Sequence, residues 1–215
     1  MKDIKLQKVA PAEIEARSME IIAQEMGPHN YTNQQLAVVK RCIHTSADFD
    51  YVENLLFTPR AMEAGLEAIR KGCTIVTDTQ MARSGINKRV LHKFGGDVVC
   101  YISDEDVAQE AKQRGETRAT VAMERAARLE GPVIVAIGNA PTALVRACQL
   151  MDEGQFAPAL VIGAPVGFVN VVESKKLLES MDGEHIIARG RKGGSNIAAT
   201  ICNALLYLVS NNERE

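Results

Sequence analysis

No block of lysine or arginine runs through this sequence, and aromatic residues fill only 4% of its 215 positions. With a formal net charge of -2 and no basic stripe, the chain offers no electrostatic footprint for nucleic acid. An acidic ligand must therefore be met by local groups. The opening, Met1-Lys2-Asp3-Ile4-Lys5, lacks the apolar stretch and small-residue cleavage site of a secretory signal, and no apolar run approaches membrane-spanning length. Cytoplasmic residence is the default expectation. No CxxC is present, and the five cysteines, Cys42, Cys73, Cys100, Cys148 and Cys202, are odd in number and scattered. That pattern argues for reduced thiols packed as small hydrophobes. Neither HExxH nor a Cys/His cluster occurs, so no metal site is expected, and the absence of GxSxG or a Cys/His nucleophile signature disfavours hydrolase chemistry.

What is present is average for a globular chain: 46% hydrophobic and 24% charged residues, enough for one domain, 1–215, with a substantial core. The first third reads as helical. Pro11 opens a segment with Ile14, Ile21, Ile22 and Met26 toward one face, and Thr32 with Gln35 makes a capping-box pattern ahead of Leu36, Val39 and Ile43. A helix from about 59 to 71 closes at Gly72, and then strands alternate with helices. Strands are expected at 74–77, 97–102, 133–137, 159–163 and 185–189. Helices are expected near 86–94, 104–114, 117–130, 141–152, 169–181 and 195–209. Alternation of this kind implies right-handed crossovers and a three-layer α/β/α sandwich with a mainly parallel sheet, flavodoxin-like or Rossmann-like in plan, with a helical N-terminal lead-in.

The turns after three strands carry the chemistry. Gly138-Asn139-Ala140-Pro141, Gly163-Ala164-Pro165-Val166-Gly167 and Gly190-Arg191-Lys192-Gly193-Gly194-Ser195 each join a buried strand to a helix, and their backbone N–H groups suit an anionic ligand at the carboxyl edge of the sheet. Equally, glycine and proline end strands in any α/β fold. None of the turns is GxGxxG or a P-loop, which disfavours nucleotides and a Rossmann oxidoreductase. Arg191 and Lys192 stand among the glycines as a pair of cations for carboxylates. His44 follows an apolar helix face and precedes Thr45, Ser46 and Asp48, which could orient its imidazole; the residues alone read equally as a helix-capping histidine. Arg41, three residues earlier, shares its face.

These blocks resemble the precorrin-8X (cobalt-precorrin-8) methylmutases of cobalamin biosynthesis. The resemblance runs through Glu15 to Ser18, Arg41 to Asp48, Thr77 to Gly85, Gly138 to Leu144, Pro165 to Val169, Glu173-Ser174-Lys175 and Gly190 to Ser195. It departs at Asn170-Val171-Val172, where smaller residues are expected. The resemblance implies a flavodoxin-like fold, a homodimer with active sites near the subunit interface, and no cofactor. It also implies an isomerase that moves a methyl group from C-11 to C-12 of a tetrapyrrole (corrinoid) to give hydrobyrinate. His44 is then the catalytic residue, Ser18 and Arg41 are substrate contacts, and Ser84, Gly85 and Arg118 join them; Asn139 and Arg191 are added from the turns. A non-catalytic corrinoid carrier using the same cleft is the alternative.

Overall fold

The computed structural model describes residues 7–211, so the opening Met1–Lys5 lies outside the described residues. A 3-10 turn at Pro11–Glu13 leads into α1 (Ile14–Glu25) and α2 (Asn33–Ser46). The expected capping box forms in full at the start of α2, with Thr32 and Gln35 bonding each other's backbone, and Ala47 in the left-handed conformation ends the helix. Next come α3 (Tyr51–Asn54), β1 (Leu55–Phe57), α4 (Ala61–Arg70) and β2 (Thr74–Thr77). Two short helices, α5 (Gln80–Gly85) and α6 (Lys88–Lys93), precede β3 (Asp97–Val99), α7 (Glu105–Arg114) and α8 (Arg118–Ala126). The chain closes with β4 (Val133–Ile137), α9 (Pro141–Asp152), β5 (Leu160–Gly163), α10 (Val171–Glu179), β6 (His185–Ala188) and α11 (Ser195–Val209).

Among the described residues six strands form one sheet, in the order β1-β6-β5-β4-β2-β3. Five are mutually parallel, as the alternation requires, and β1 pairs antiparallel with β6 at the edge. β1 is the strand the sequence reading lacks: Leu55-Leu56-Phe57 is too short to display a period. The helix expected near 86–94 is α6, capped by Asn87, and a further short helix the sequence does not announce, α5, precedes it with its own cap at Thr79. The strand expected over 97–102 stops at Val99.

Alternation along the strands divides the core. Ile75, Ile134, Ala136, Leu160 and Ile162 face a cluster built with α2, α4 and α11, while Val76, Val133, Val135, Ile137 and Val161 face α8 and α9. Helices therefore cover both faces. α11 is apolar nearly all round because it is enclosed by the sheet, α2, α4 and α5. The helical lead-in covers α11 rather than the sheet: α1 packs on α2, and α2 packs on α11. Arg41 of α2 lies over the Tyr207 ring and Thr45 meets Thr200 at 3.0 Å, so the two helices run antiparallel.

All five cysteines are buried free thiols, as small hydrophobes should be. Burial pushes Cys73 up to about 12 and Cys148 up to about 11, and drives Cys42 and Cys202 higher still. In the unfolded chain these thiols ionise near pH 8.5, so unfolding releases protons above that pH, and each costs stability at about 1.4 kcal/mol per pH unit. Lys175, lowered by burial to about 8, works the other way between pH 8 and 10.5 and offsets roughly one of them. Urea unfolding under reducing conditions should show nearly constant stability between pH 7 and 8 and a steep fall from pH 9 to 10. A flat profile to pH 10 would contradict the burial of the thiols.

Candidate active site at the carboxyl edge of the sheet

Outward from β2 and β4 the chain turns to opposite faces: β2 leads to α5 on the α11 side, and β4 leads to α9 on the other. In α/β folds such a switch point is where a ligand crevice forms, outside the strand ends. Its base is filled from within. The buried carboxylate of Asp78, directly after β2, accepts the N–H groups of Gly138 at 2.8 Å, Asn139 at 2.8 Å and Ala140 at 2.6 Å. The turn read from sequence as an opening for an external anion thus has its own anion. Burial raises the Asp78 pKa, while the three N–H donors pull it down.

The N-terminus of α11 seats against this base. A Cβ on Gly138 would stand 2.6 Å from Ser195 Cα, so only glycine permits the approach, and Thr79 Oγ1 meets Ser195 Oγ at 2.7 Å. Around the first half of α11 the structure gathers several of the expected residues. His44 is exposed in the last turn of α2, beside the Thr45–Thr200 contact. Ser84 and Gly85 are exposed at the end of α5, where a Cβ on Gly85 would lie 3.0 Å from the Ala199 Cβ and Asn203 of α11 donates to the Gly85 carbonyl at 2.8 Å. Asn139 is exposed above the Asp78 base. Arg191 lies over the ring of Phe168, 5.4 Å from its centroid, at the lip formed by the loops after β5 and β6.

Other expected residues stand further off. Arg41 faces the second half of α11 at Tyr207, 3.6 Å from Glu15 of α1. Ser18, on α1, donates its hydroxyl to Ile14 O at 2.9 Å. Arg118 is exposed at the start of α8, in the layer on the opposite face of the sheet. Nor do the polar neighbours of His44 orient it: Thr45 meets Thr200, Ser46 donates to Cys42 O at 2.7 Å, and Asp48 binds Lys192. Lys192 in turn is not a spare cation, because its Nζ lies 2.6 Å from Asp48 and 2.5 Å from Asp50. That pairing lowers the Asp48 pKa through its hydrogen bond to Lys192 and raises that of Lys192. Of the two expected cations, Arg191 is the one left on the lip.

Two residues lie in the blocks named above, but their roles are not legible in the sequence. Asp78 stands at the end of a buried β-branched strand, a visible place, but its target lies sixty residues away. Lys175 is 2% exposed, and its Nζ donates to Gly190 O and Lys192 O, each at 2.8 Å. Nothing in its local pattern separates it from the solvated lysine beside it.

Helices on both faces of a mostly parallel sheet, with polar loops converging at its switch point, define an α/β protein, a class whose ligand sites lie at the carboxyl edge of the sheet. The family model described as precorrin-8X methylmutase matches residues 13–208. The cobalt-precorrin-8 methylmutase of Priestia megaterium is 46% identical over 201 residues, covering 94% of this chain and 89% of that protein. That of Salmonella typhimurium is 46% identical over 203 residues, covering 92% and 95%. The crystal structure of precorrin-8x methyl mutase from Thermus thermophilus superposes with a TM-score of 0.86 at 39% identity, over 95% of this chain and 98% of that one. The chain belongs to the precorrin-8X methylmutase family, and with it to the isomerases of cobalamin biosynthesis.

Removing the Asp78 side chain would leave three donors without partners at the base of the crevice. Asp78→Ala should cost roughly 3 kcal/mol or more, and Asp78→Asn, which keeps one acceptor oxygen, distinctly less. Urea unfolding of both variants checks this; a loss under about 1 kcal/mol in the alanine variant would mean the turn does not depend on the carboxylate.

Proposed function

We propose that the protein moves the methyl group on C-11 of precorrin-8X, or of its cobalt-containing counterpart, to C-12, giving hydrobyrinate or cobyrinate. The observation that carries this reading is His44, an exposed imidazole at the rim formed by α2 and α11, in a chain of this family. In the shift one carbon–carbon bond breaks as its neighbour forms, and nothing leaves the substrate, so no redox partner or group carrier is called for. The barrier lies in drawing electron density out of the conjugated ring. His44 as general acid donates to, or protonates, a ring nitrogen as the methyl migrates, a contribution of roughly 10²- to 10⁴-fold.

Around it, Ser84, Gly85, Asn139 and Arg191 are the proposed contacts nearest the switch point, and Ser18, Arg41 and Arg118 reach the periphery of the macrocycle. Arginine suits the acetate and propionate groups there because its planar fork binds carboxylates in two places. Setting β1 aside, the parallel strands lie in the order 2-1-3-4-5, which supports the flavodoxin-like reading of the fold. All the strands share one sheet, which supports a single domain. Residence in the cytoplasm fits a biosynthetic enzyme in which no described helix is long and apolar enough to cross a membrane.

Purified protein incubated separately with precorrin-8X and cobalt-precorrin-8 should change the visible spectrum of at least one. A bound but unconverted corrinoid would instead make it a carrier. His44→Ala should fold and bind product while kcat falls roughly 10²-fold or more. His44→Asn separates the roles: near-normal kcat in Asn means that a neutral hydrogen bond suffices, and near-normal kcat in Ala removes His44 from the chemistry. The reading also includes the homodimer that the family resemblance implies. Light scattering should give about twice 23.4 kDa; a monomer with full turnover would exclude a shared site.

A further inference from the structure

A lysine buried to 2% exposure without a carboxylate partner is expensive, and Lys175 spends its donors on backbone alone. Its two acceptors, Gly190 O and Lys192 O, flank Arg191, whose own carbonyl accepts from Gly167 N at 3.2 Å. Gly194 N donates to Ala164 O at 2.8 Å, and a Cβ on Gly193 would collide with that same carbonyl. The loop between β6 and α11 is thus pulled inward at each carbonyl from 190 to 192 and locked to the loop after β5. With its backbone fixed, the side chain of Lys192 reaches across to Asp48 and Asp50. Those two acids sit in a turn that is itself ordered: Asp50 N donates to Asp48, Asp48 N donates to Ser46 Oγ, and Ser46 Oγ donates back into α2 at Cys42 O. His44 lies inside that last turn, between Cys42 and Ser46.

We propose that Lys175 is a positioning residue for the methyl shift, acting through Lys192 and the Asp48–Asp50 turn to hold the end of α2, and with it His44, in register with the rim of the crevice. The proposal rests on the reading of His44 above. It accounts for a cation placed where no ligand can touch it. It also explains why Lys192, in a loop rich in backbone freedom, is held by two acids of a helix end that is distant in sequence.

The test is a set of turnover measurements on the full chain with Lys175→Met, Lys192→Ala and the double variant, each checked for folding by circular dichroism and thermal melting. Lys175→Met and Lys192→Ala should each lower kcat by roughly tenfold, and the double variant by about the same tenfold rather than a hundredfold, because both act through one relay. Multiplying effects, or a kcat unchanged in either single variant, would overturn the proposal. Should Lys175→Met fail to fold, Asp48→Asn combined with Asp50→Asn replaces it at the other end of the relay: matching and non-additive losses with Lys192→Ala support the proposal, and full activity in both overturns it. Hydrogen exchange gives a readout independent of turnover. Removing Lys175, or breaking the Lys192 link, should speed exchange in the last turn of α2 while the amides of β4 stay protected; no change in α2 would overturn the mechanical link. If the unmodified protein turns over no substrate, the functional reading fails on its own, and the exchange pattern still judges the relay.

Discussion

The carboxyl edge of the sheet depends on one buried carboxylate holding three consecutive amides. Withdrawing Asp78 from water costs several kcal/mol, and the return comes from three charge-assisted bonds at 2.6 to 2.8 Å. Because the oxygens reach across from β2 to the turn after β4, they fix the exits of those two parallel strands at the point where the strand order reverses. The turn is then rigid enough, and at Gly138 thin enough, for the first residue of α11 to rest directly on it. An external anion in the same nest would leave the junction ordered only when ligand is bound. An internal one orders the crevice beforehand, which reduces what binding must spend on organisation.

From that seat α11 transmits position to both sides of the rim. Its second turn meets Gly85 through Ala199 and Thr45 through Thr200, while Asn203 clamps both the carbonyl of Gly85 and the amide of Asn87. Residues from α5 and α2, far apart in sequence, are therefore referenced to a single helix. A second tie runs around the outside through Lys175, Lys192 and the acids after α2. Surface ion pairs alone are weak. Here the exposed pair is backed by a buried lysine whose bonds are shielded from solvent, so the strong part of the connection lies inside.

How much of this could be read from the chain follows from the range over which each signal acts. Helix α11, with apolar residues on almost every face, and β4, with five buried residues in a row, show themselves in local composition. The capping box of α2 is legible because both partners sit within four residues. β1 is not, since three residues hold no period and its partner β6 lies 130 positions on. The same limit governs the site. The glycines after the strands mark the carboxyl edge of the sheet, but sequence cannot tell a turn awaiting an anion from one already occupied by Asp78. It places Arg191 and Lys192 as equals, although tertiary contacts commit one to Asp48 and Asp50 and leave the other over Phe168. His44 emerges from family resemblance, since by pattern alone it is indistinguishable from a capping histidine.

The exposure of the rim bears on the chemistry proposed for it. An imidazole in contact with water interacts with a developing charge through a high dielectric, and so gains little from its placement. A broad, flat macrocycle would change that by its own size, because covering the rim would expel water from between His44 and the ring nitrogen it is proposed to serve. Phe168, 81% exposed beside Arg191, supplies an apolar surface for such a ligand next to a cation for its edge. Apolar burial at roughly 25 cal/mol per Å² then drives the same event that strengthens the acid's hydrogen bond. In the proposed reaction binding and catalysis are therefore coupled through desolvation, and a small acidic molecule lacking the broad face would leave His44 wet and ineffective even if its carboxylates were held.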